Sequence, residues 1–308
     1  MVIFSKIVTA HSVVLWIAVF CFTAVFHPSL AQQADPLAPG PSPYGPGPHT
    51  VTEVSSGVYS FSHSGARSMF IITDAGVIVT DPMHRHAAEA MRQEIADRTD
   101  QPVRYVIYSH NHWDHILGGK IFKAEGAQFI SHEKCLAHFY RDPHPDLVMP
   151  DIVFDRHYEV ELGNKRLQLQ YFGRNHDDCA ITMLLPDERL LFMVDLAMPG
   201  AVSLAGGWMR SYYPRDWIRS LEEIETTLAF DRYMPGHGPA VAPKAAMTEI
   251  RGYLQALMEA VRSELDAGTP MNEVVENISL PEYQHLQGYD EFLSKNADRI
   301  RVYFATGY

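Results

Sequence analysis

His110-Asn111-His112-Trp113-Asp114-His115 places three imidazoles and a carboxylate within six residues. The apolar run Val103-Arg104-Tyr105-Val106-Ile107-Tyr108 precedes it and Gly118-Gly119 follows. The run reads as a buried strand and the glycines ease a turn into a helix, so the motif sits where a strand stops. That is where α/β folds place their chemistry. In an extended segment His110 and His112 point the same way and can grip one ion. Asp114 and His115 lie past the bend and can face a second, so one short loop can feed two metals.

Working outward, short β-type runs at 51–54, 58–62, 69–73 and 77–80, punctuated by Gly57, Gly65 and Gly76, predict a meander that Asp81-Pro82 ends. Ala, Met and Ile at helical spacing predict a helix over 86–98. Beyond the motif the pattern predicts a short helix over 119–124, a strand over 128–131 and a helix over 133–140. The stretch 141–150, with its three prolines, reads as a loop near the middle of the domain. Strands are then predicted over 158–162, 166–172, 181–185 and 189–194. Helices follow over 215–228 and 243–265, with a brief strand at 232–234 and a helical tail over 271–303. Two β-rich halves, each followed by helices, are the layout of two packed sheets with helices outside.

Three further places carry ligand chemistry. His176, in Phe172-Gly173-Arg174-Asn175-His176-Asp177-Asp178, lies just past a strand end; Asp195 follows the apolar Leu190-Leu191-Phe192-Met193-Val194. His237, in Pro235-Gly236-His237-Gly238, is flanked by glycines that let the backbone approach closely. Each sits where a strand stops, so all can converge on one rim with the first motif.

With these residues in place the chain resembles the metallo-β-lactamase superfamily. That family's pattern is H-x-H-x-D-H, then a His, then an Asp after a strand, then a Gly-His near the end. The likeness spans about residues 50–265. It implies an α/β fold, an αββα sandwich of two mixed sheets with outer helices, and a two-metal site at one edge. By position, His110, His112 and His176 match the ligands of the first zinc. Asp114, His115 and His237 match those of the second, and Asp195 bridges. The expected cofactors are two Zn2+ ions, with iron or manganese as alternatives. Two places depart from the pattern: Asn175-His176-Asp177 stands where Gly-His-Ser/Thr is common, and Val194 where a Gly often precedes the bridging Asp. A bridging aspartate resembles glyoxalase II, lactonases and broad-specificity hydrolases more than the main β-lactamase group, which has a Cys at the second zinc. The tail after Met271 lacks a clustered basic face for glutathione, which speaks against glyoxalase II itself.

Three neutral imidazoles on one zinc leave a position open, where the pKa of a water falls from 15.7 to roughly 7. Asp114 can orient that water and shuttle its proton to the leaving group. Trp113, between two candidate ligands, is expected either at the site rim or as a core anchor under the loop. The Gly-rich stretch 198–213, carrying Trp208, Tyr212 and Tyr213, reads either as a substrate wall or as an ordinary crossover loop. The function expected is zinc-dependent hydrolysis of a small molecule at a carbonyl: an ester, lactone or β-lactam. An iron-dependent oxidoreductase of the sulfur dioxygenase kind and a non-catalytic periplasmic metal-binding protein are the competing classes.

Composition bounds the rest. The 308 residues are 46% hydrophobic, as in ordinary globular proteins, and the net charge is −12. Such a charge repels nucleic acid and anionic membrane surfaces. Residues 1–31 have a positive Lys6, an apolar run over 13–26 and the small-x-small site Ser29-Leu30-Ala31, so a cleaved secretory signal is expected. The run is short for a membrane span, so no stable membrane insertion is expected after cleavage and the mature protein is placed in the periplasm or outside the cell. Residues 32–49, dense in Pro and Gly, read as a linker; 50–265 form the catalytic domain and 266–308 a helical tail packed on it. Cys135 and Cys179 would remain, either as a disulfide or as two buried thiols.

Overall fold

The computed structural model describes residues 44–202 and 213–307, and the account that follows concerns those residues. One sheet holds seven strands side by side in chain order: β1 (His49–Ser55), β2 (Val58–His63), β3 (Ala66–Thr73), β4 (Gly76–Thr80), β5 (Val103–Ile107), β6 (Gln128–His132) and β7 (Ile152–Phe154). The first four pair antiparallel through tight turns. From β4 onward the pairing is parallel, which requires crossovers. Helix α1 (Arg85–Ala96), the short α2 (Trp113–Ile116) and α3 (Lys120–Ala124), and α4 (Cys135–Arg141) supply them.

The second sheet has the order β13-β12-β11-β10-β9-β8, built from β8 (His157–Leu162), β9 (Lys165–Gln170), β10 (Thr182–Leu185), β11 (Leu190–Met193), β12 (Arg232–Pro235) and β13 (Ala242–Pro243). Its β11–β12 pair is parallel, with α5 (Pro214–Thr227) in the crossover, and its other pairs are antiparallel. Helices α6 (Lys244–Asp266) and α7 (Tyr289–Thr306) complete the chain.

Strand alternation decides the layers. Met69 and Ile71 of β3, Leu167 and Leu169 of β9, Met183 and Leu185 of β10, and Leu190 and Phe192 of β11 share one core between the sheets. Their neighbours face outward: Phe70 packs with Met91, Ile95 and Phe122 beneath α1 and α3. Leu184, Leu191 and Met193 pack with Trp217, Leu221, Tyr253 and Leu257 of α5 and α6. Because β10 and β11 are buried on both faces, they read as continuous apolar runs. The result is the αββα sandwich of two mixed sheets expected from the sequence.

Two expectations are corrected. β7 lies in a stretch whose pattern predicts no strand, because three residues are too few to show a period. The tail is not one helix over 271–303: two 3₁₀ turns, Val274–Asn277 and Pro281–Tyr283, precede α7. Pro281 cannot donate to a continuing helix, and Gly288, at φ 79°, redirects the chain into α7. Val274, Ile278, Leu280 and Leu286 still bury against α6. No helix among the described residues is long and apolar enough to cross a membrane.

Candidate metal centre

Strand ends position the site. β5 stops at Ile107, and His110 follows three residues later, fully buried. His112 is extended (φ −73°, ψ 138°) and caps α2, so the chain bends between His112 and Asp114. His176 stands in the loop between β9 and β10, Asp195 two residues past β11, and His237 two residues past β12. Asp195 adopts φ 60°, a left-handed conformation that a non-glycine residue holds only when its surroundings impose it.

The predicted ligands converge in two sets. His110, His112, His176 and Asp195 present ligand atoms within 4.8 Å of one another, as do Asp114, His115 and His237. Asp195 joins the sets: its Oδ2 lies 3.7 Å from His110 Nε2, 3.5 Å from His176 Nε2 and 3.6 Å from His115 Nε2. Its Oδ1 lies 3.5 Å from His237 Nε2. Asp114 Oδ2 is 3.4 Å from His115 Nε2 and 3.7 Å from His237 Nε2.

The far sides of two rings have hydrogen-bond partners. Ser109 Oγ lies 2.8 Å from His110 Nδ1, and His237 Nδ1 donates to the Gly65 carbonyl at 2.8 Å. The β2–β3 turn grips the His237 loop further, since Arg67 N donates to Gly236 O at 2.7 Å. Behind His115, at 3.6 Å from its Nδ1, stands Asp81 Oδ2, whose partner oxygen accepts the Ser109 N–H at 2.7 Å. By sequence, Asp81-Pro82 reads as the turn that ends the meander. Yet it ends the apolar strand β4 much as Asp195 follows β11, and that signal was available.

A divalent cation fits this donor set. Nε2 of His110, Nε2 of His115 and Oδ1 of Asp195 are buried with no hydrogen-bond partner, an arrangement that costs free energy unless something positive sits among them. Electrostatics agree. Burial, followed by its imidazole neighbours, holds His110 well below its ordinary pKa, and burial takes His176 down to about 4, so both are neutral donors. Burial opposes ionisation of Asp195 and Asp114, but His115 and the other rings outweigh it. Asp195 falls well below the carboxylate range and Asp114 to about 2. Burial would lower His115 as well, yet Asp114, Asp195 and Asp81 hold it at about 10. A surplus of carboxylate charge at one point is what a cation would neutralise.

The sequence profile of the metallo-beta-lactamase superfamily matches residues 64–238, more than half the chain and all seven candidate ligands. The chain belongs to the metallo-beta-lactamase superfamily. Among curated proteins it is 23% identical over 252 residues to the 2,4-dinitroanisole O-demethylase subunit beta of Nocardioides sp. (strain JS1661), covering 78% of this chain and 77% of that one. It is 22% identical to the linear primary-alkylsulfatase of Pseudomonas sp. (strain ATCC 19151), covering 63% of this chain and 46% of that one. Among solved structures, a metallo-beta-lactamase from Pontibacter korlensis aligns with TM-score 0.59 at 18% identity, covering 68% of this chain and 99% of that one. The inverting sec-alkylsulfatase Pisa1 from Pseudomonas sp. aligns with TM-score 0.71 at 16% identity, over 84% of this chain and 50% of that one. The chain thus spans about half the length of both alkylsulfatases.

In this superfamily member the unusual Asn175-His176-Asp177 turn supports itself. Asp177 Oδ1 accepts the N–H groups of Cys179 (2.7 Å) and Ala180 (2.6 Å), and Asp177 O accepts the Asn175 N–H at 2.7 Å. Cys179 is disulfide-bonded to Cys135, which opens α4, so its sulfur is not a thiolate ligand. His138 of α4 adds an ion pair, Nε2 to Asp178 Oδ1 at 2.5 Å. Helix α4 is therefore staked to the loop that carries His176.

Between them lies a cleft of about 730 Å³, lined by His112, Asp114 and His176 together with Asn111, Trp113, His138, Arg141, Asp177, Asp178 and Tyr213. Trp113 is 41% exposed and meets His144 edge-on, so it belongs to the rim and is not a core anchor. Tyr213 carries the Arg174 guanidinium 4.3 Å from its ring centroid. Trp208 and Tyr212 lie outside the described residues.

Proposed function

We propose that the protein is a binuclear zinc hydrolase that cleaves a carbonyl-centred bond of a small molecule, an ester, lactone or β-lactam. The supporting observation is the convergence of five imidazoles and the carboxylates of Asp114 and Asp195 in two adjoining sets, with Nε2 of His110 and His115 and Oδ1 of Asp195 buried and without a hydrogen-bond partner. His110, His112 and His176 would hold one ion and Asp114, His115 and His237 the other, with Asp195 between them. Bound there, the two ions supply Lewis acidity and bring a water's pKa close to neutrality.

The chain's own residues do the rest. Asp114 keeps 29% of its side chain exposed while Asp195 keeps 2%, so Asp114 is the carboxylate that reaches the cleft. In hydrolysis the attacking water loses a proton and the departing atom, an ester oxygen or a lactam nitrogen, gains one; Asp114 is placed to carry it between them. Asp81 fixes the ring of His115 and the Gly65 carbonyl that of His237. Trp113 and Tyr213 offer apolar walls for the substrate's body.

A sulfate ester or an activated aryl ether is the second reading. It draws on the alkylsulfatase and O-demethylase relatives and on Arg141, a guanidinium on the lining of the cleft. Export to the periplasm or beyond is part of the proposal, supported by the leader-like residues 1–31 and by the Cys135–Cys179 disulfide, a bond that persists in oxidising compartments.

Zinc-loaded protein assayed on p-nitrophenyl acetate, a lactone, nitrocefin, p-nitrophenyl sulfate and 2,4-dinitroanisole tests the reading. Turnover of an ester, lactone or β-lactam is expected. Turnover of the sulfate or ether alone selects the second reading, and turnover only with iron and oxygen overturns both.

A further inference from the structure

The geometry points to a further feature of the substrate: it carries a carboxylate away from the bond that is cleaved, and Arg141, the last residue of α4, binds that group. This deepens the hydrolase reading and rests on it, with the reacting bond placed at the metal centre.

Arg141 lies on the lining of the cleft of about 730 Å³ that also holds His112, Asp114 and His176, and among the described residues it is the sole guanidinium or ammonium there. Arg174, the cation over Tyr213, is committed to Asp216, its Nε donating to Oδ2 at 2.8 Å. The Arg141 guanidinium is oriented from its own helix end. Its Nε donates to Asp142 Oδ2 at 2.7 Å, and Nη2 donates to His138 Nδ1 at 3.1 Å in the neutral form of that ring. His138 Nε2 is tied in turn to Asp178 Oδ1, and the Cys135–Cys179 disulfide fixes the start of α4 to the same loop. Nη1 has no hydrogen bond among the described residues.

The charges around it favour an anion. Asp177 spends Oδ1 on the N–H groups of Cys179 and Ala180, and Asp178 Oδ1 is taken by His138. Asp142 competes weakly: its side chain is 55% exposed and that of Arg141 66%, and an ion pair in solvent holds its partners loosely. The zinc ions of the proposed centre carry more charge than Asp114 and Asp195 cancel, so the cleft as a whole is positive. A guanidinium presents its donors in a rigid fork that matches a carboxylate. The partners of Arg141, His138 and Asp142, belong to neither ligand set of the centre, so the group it holds is removed from the reacting bond.

The test uses full-length, zinc-loaded protein titrated calorimetrically with benzohydroxamate and its 3- and 4-carboxy derivatives, which anchor on the metals and differ by one carboxylate. In wild type the better carboxylated probe should bind about tenfold more tightly than benzohydroxamate. In Arg141→Gln that ratio should fall below about twofold. Arg141→Lys, a cation without the fork, should give an intermediate ratio. A ratio near unity in wild type, or an unchanged ratio in Arg141→Gln, overturns the proposal. Should Arg141→Gln lose zinc, Arg141→Met is read by the same criterion. Binding is measured without turnover, so a failed hydrolase assay and a failed carboxylate site give separate results.

Discussion

The covalent staple between α4 and the His176 loop allows a quantitative expectation. Cys135 and Cys179 are 44 residues apart in sequence. Closing a loop of that length in the unfolded chain removes entropy equivalent to about 4 kcal/mol at 25 °C in the chain-entropy treatment. The double variant Cys135→Ala/Cys179→Ala should therefore lower the unfolding free energy of metal-free protein by about 4 kcal/mol, and Tm by about 10 °C. Denaturant unfolding followed by circular dichroism measures this, with reduced wild type as a second route to the open bridge. Cys179 also lies three residues beyond His176, so zinc at the His110/His112/His176 set should dissociate about tenfold faster while the other set is spared. A stability loss under about 1 kcal/mol, or equal effects at both sets, would refute the staple's role.

Asp81→Asn removes the carboxylate behind His115 and should weaken the second zinc about 10- to 100-fold, leaving the first unchanged, as read by competition with a chromogenic chelator. Gly236→Ala would place a Cβ 2.5 Å from both Asp195 Oδ1 and Val194 Cγ1. Because Asp195 borders both sets, equilibrium dialysis should show both zinc ions weakened at least about tenfold. The His138–Asp178 bond raises the pKa of His138 and lowers that of Asp178. The stabilisation from His138 is complete below its ordinary 6.5 and is lost as pH rises through the higher folded value. His138→Gln should accordingly cost about 1–3 °C in Tm at pH 5.5 and less at pH 9.

Much of this was legible in the residues because period and position are local properties. The apolar runs 103–108 and 190–194 announce strands, and a ligand at the end of each follows from reading one residue at a time. The Asp81 role was missed for a physical reason: Asp-Pro is also a common turn signal, and its distance to His115 exists only once β4 and β5 lie side by side. The disulfide stayed one of two alternatives for the same reason, since pairing depends on where α4 crosses the sheet. Trp208 and Tyr212, two of the residues read as a possible substrate wall, lie outside the described residues, while Tyr213 and Trp113 line the cleft.

Metal stoichiometry tests the two-metal centre most directly. Elemental analysis of wild type, His115→Ala and Asp195→Ala, each dialysed against a zinc buffer, should return about two, about one and less than one equivalent, because His115 belongs to one set and Asp195 borders both. One tightly held equivalent in all three proteins would contradict it.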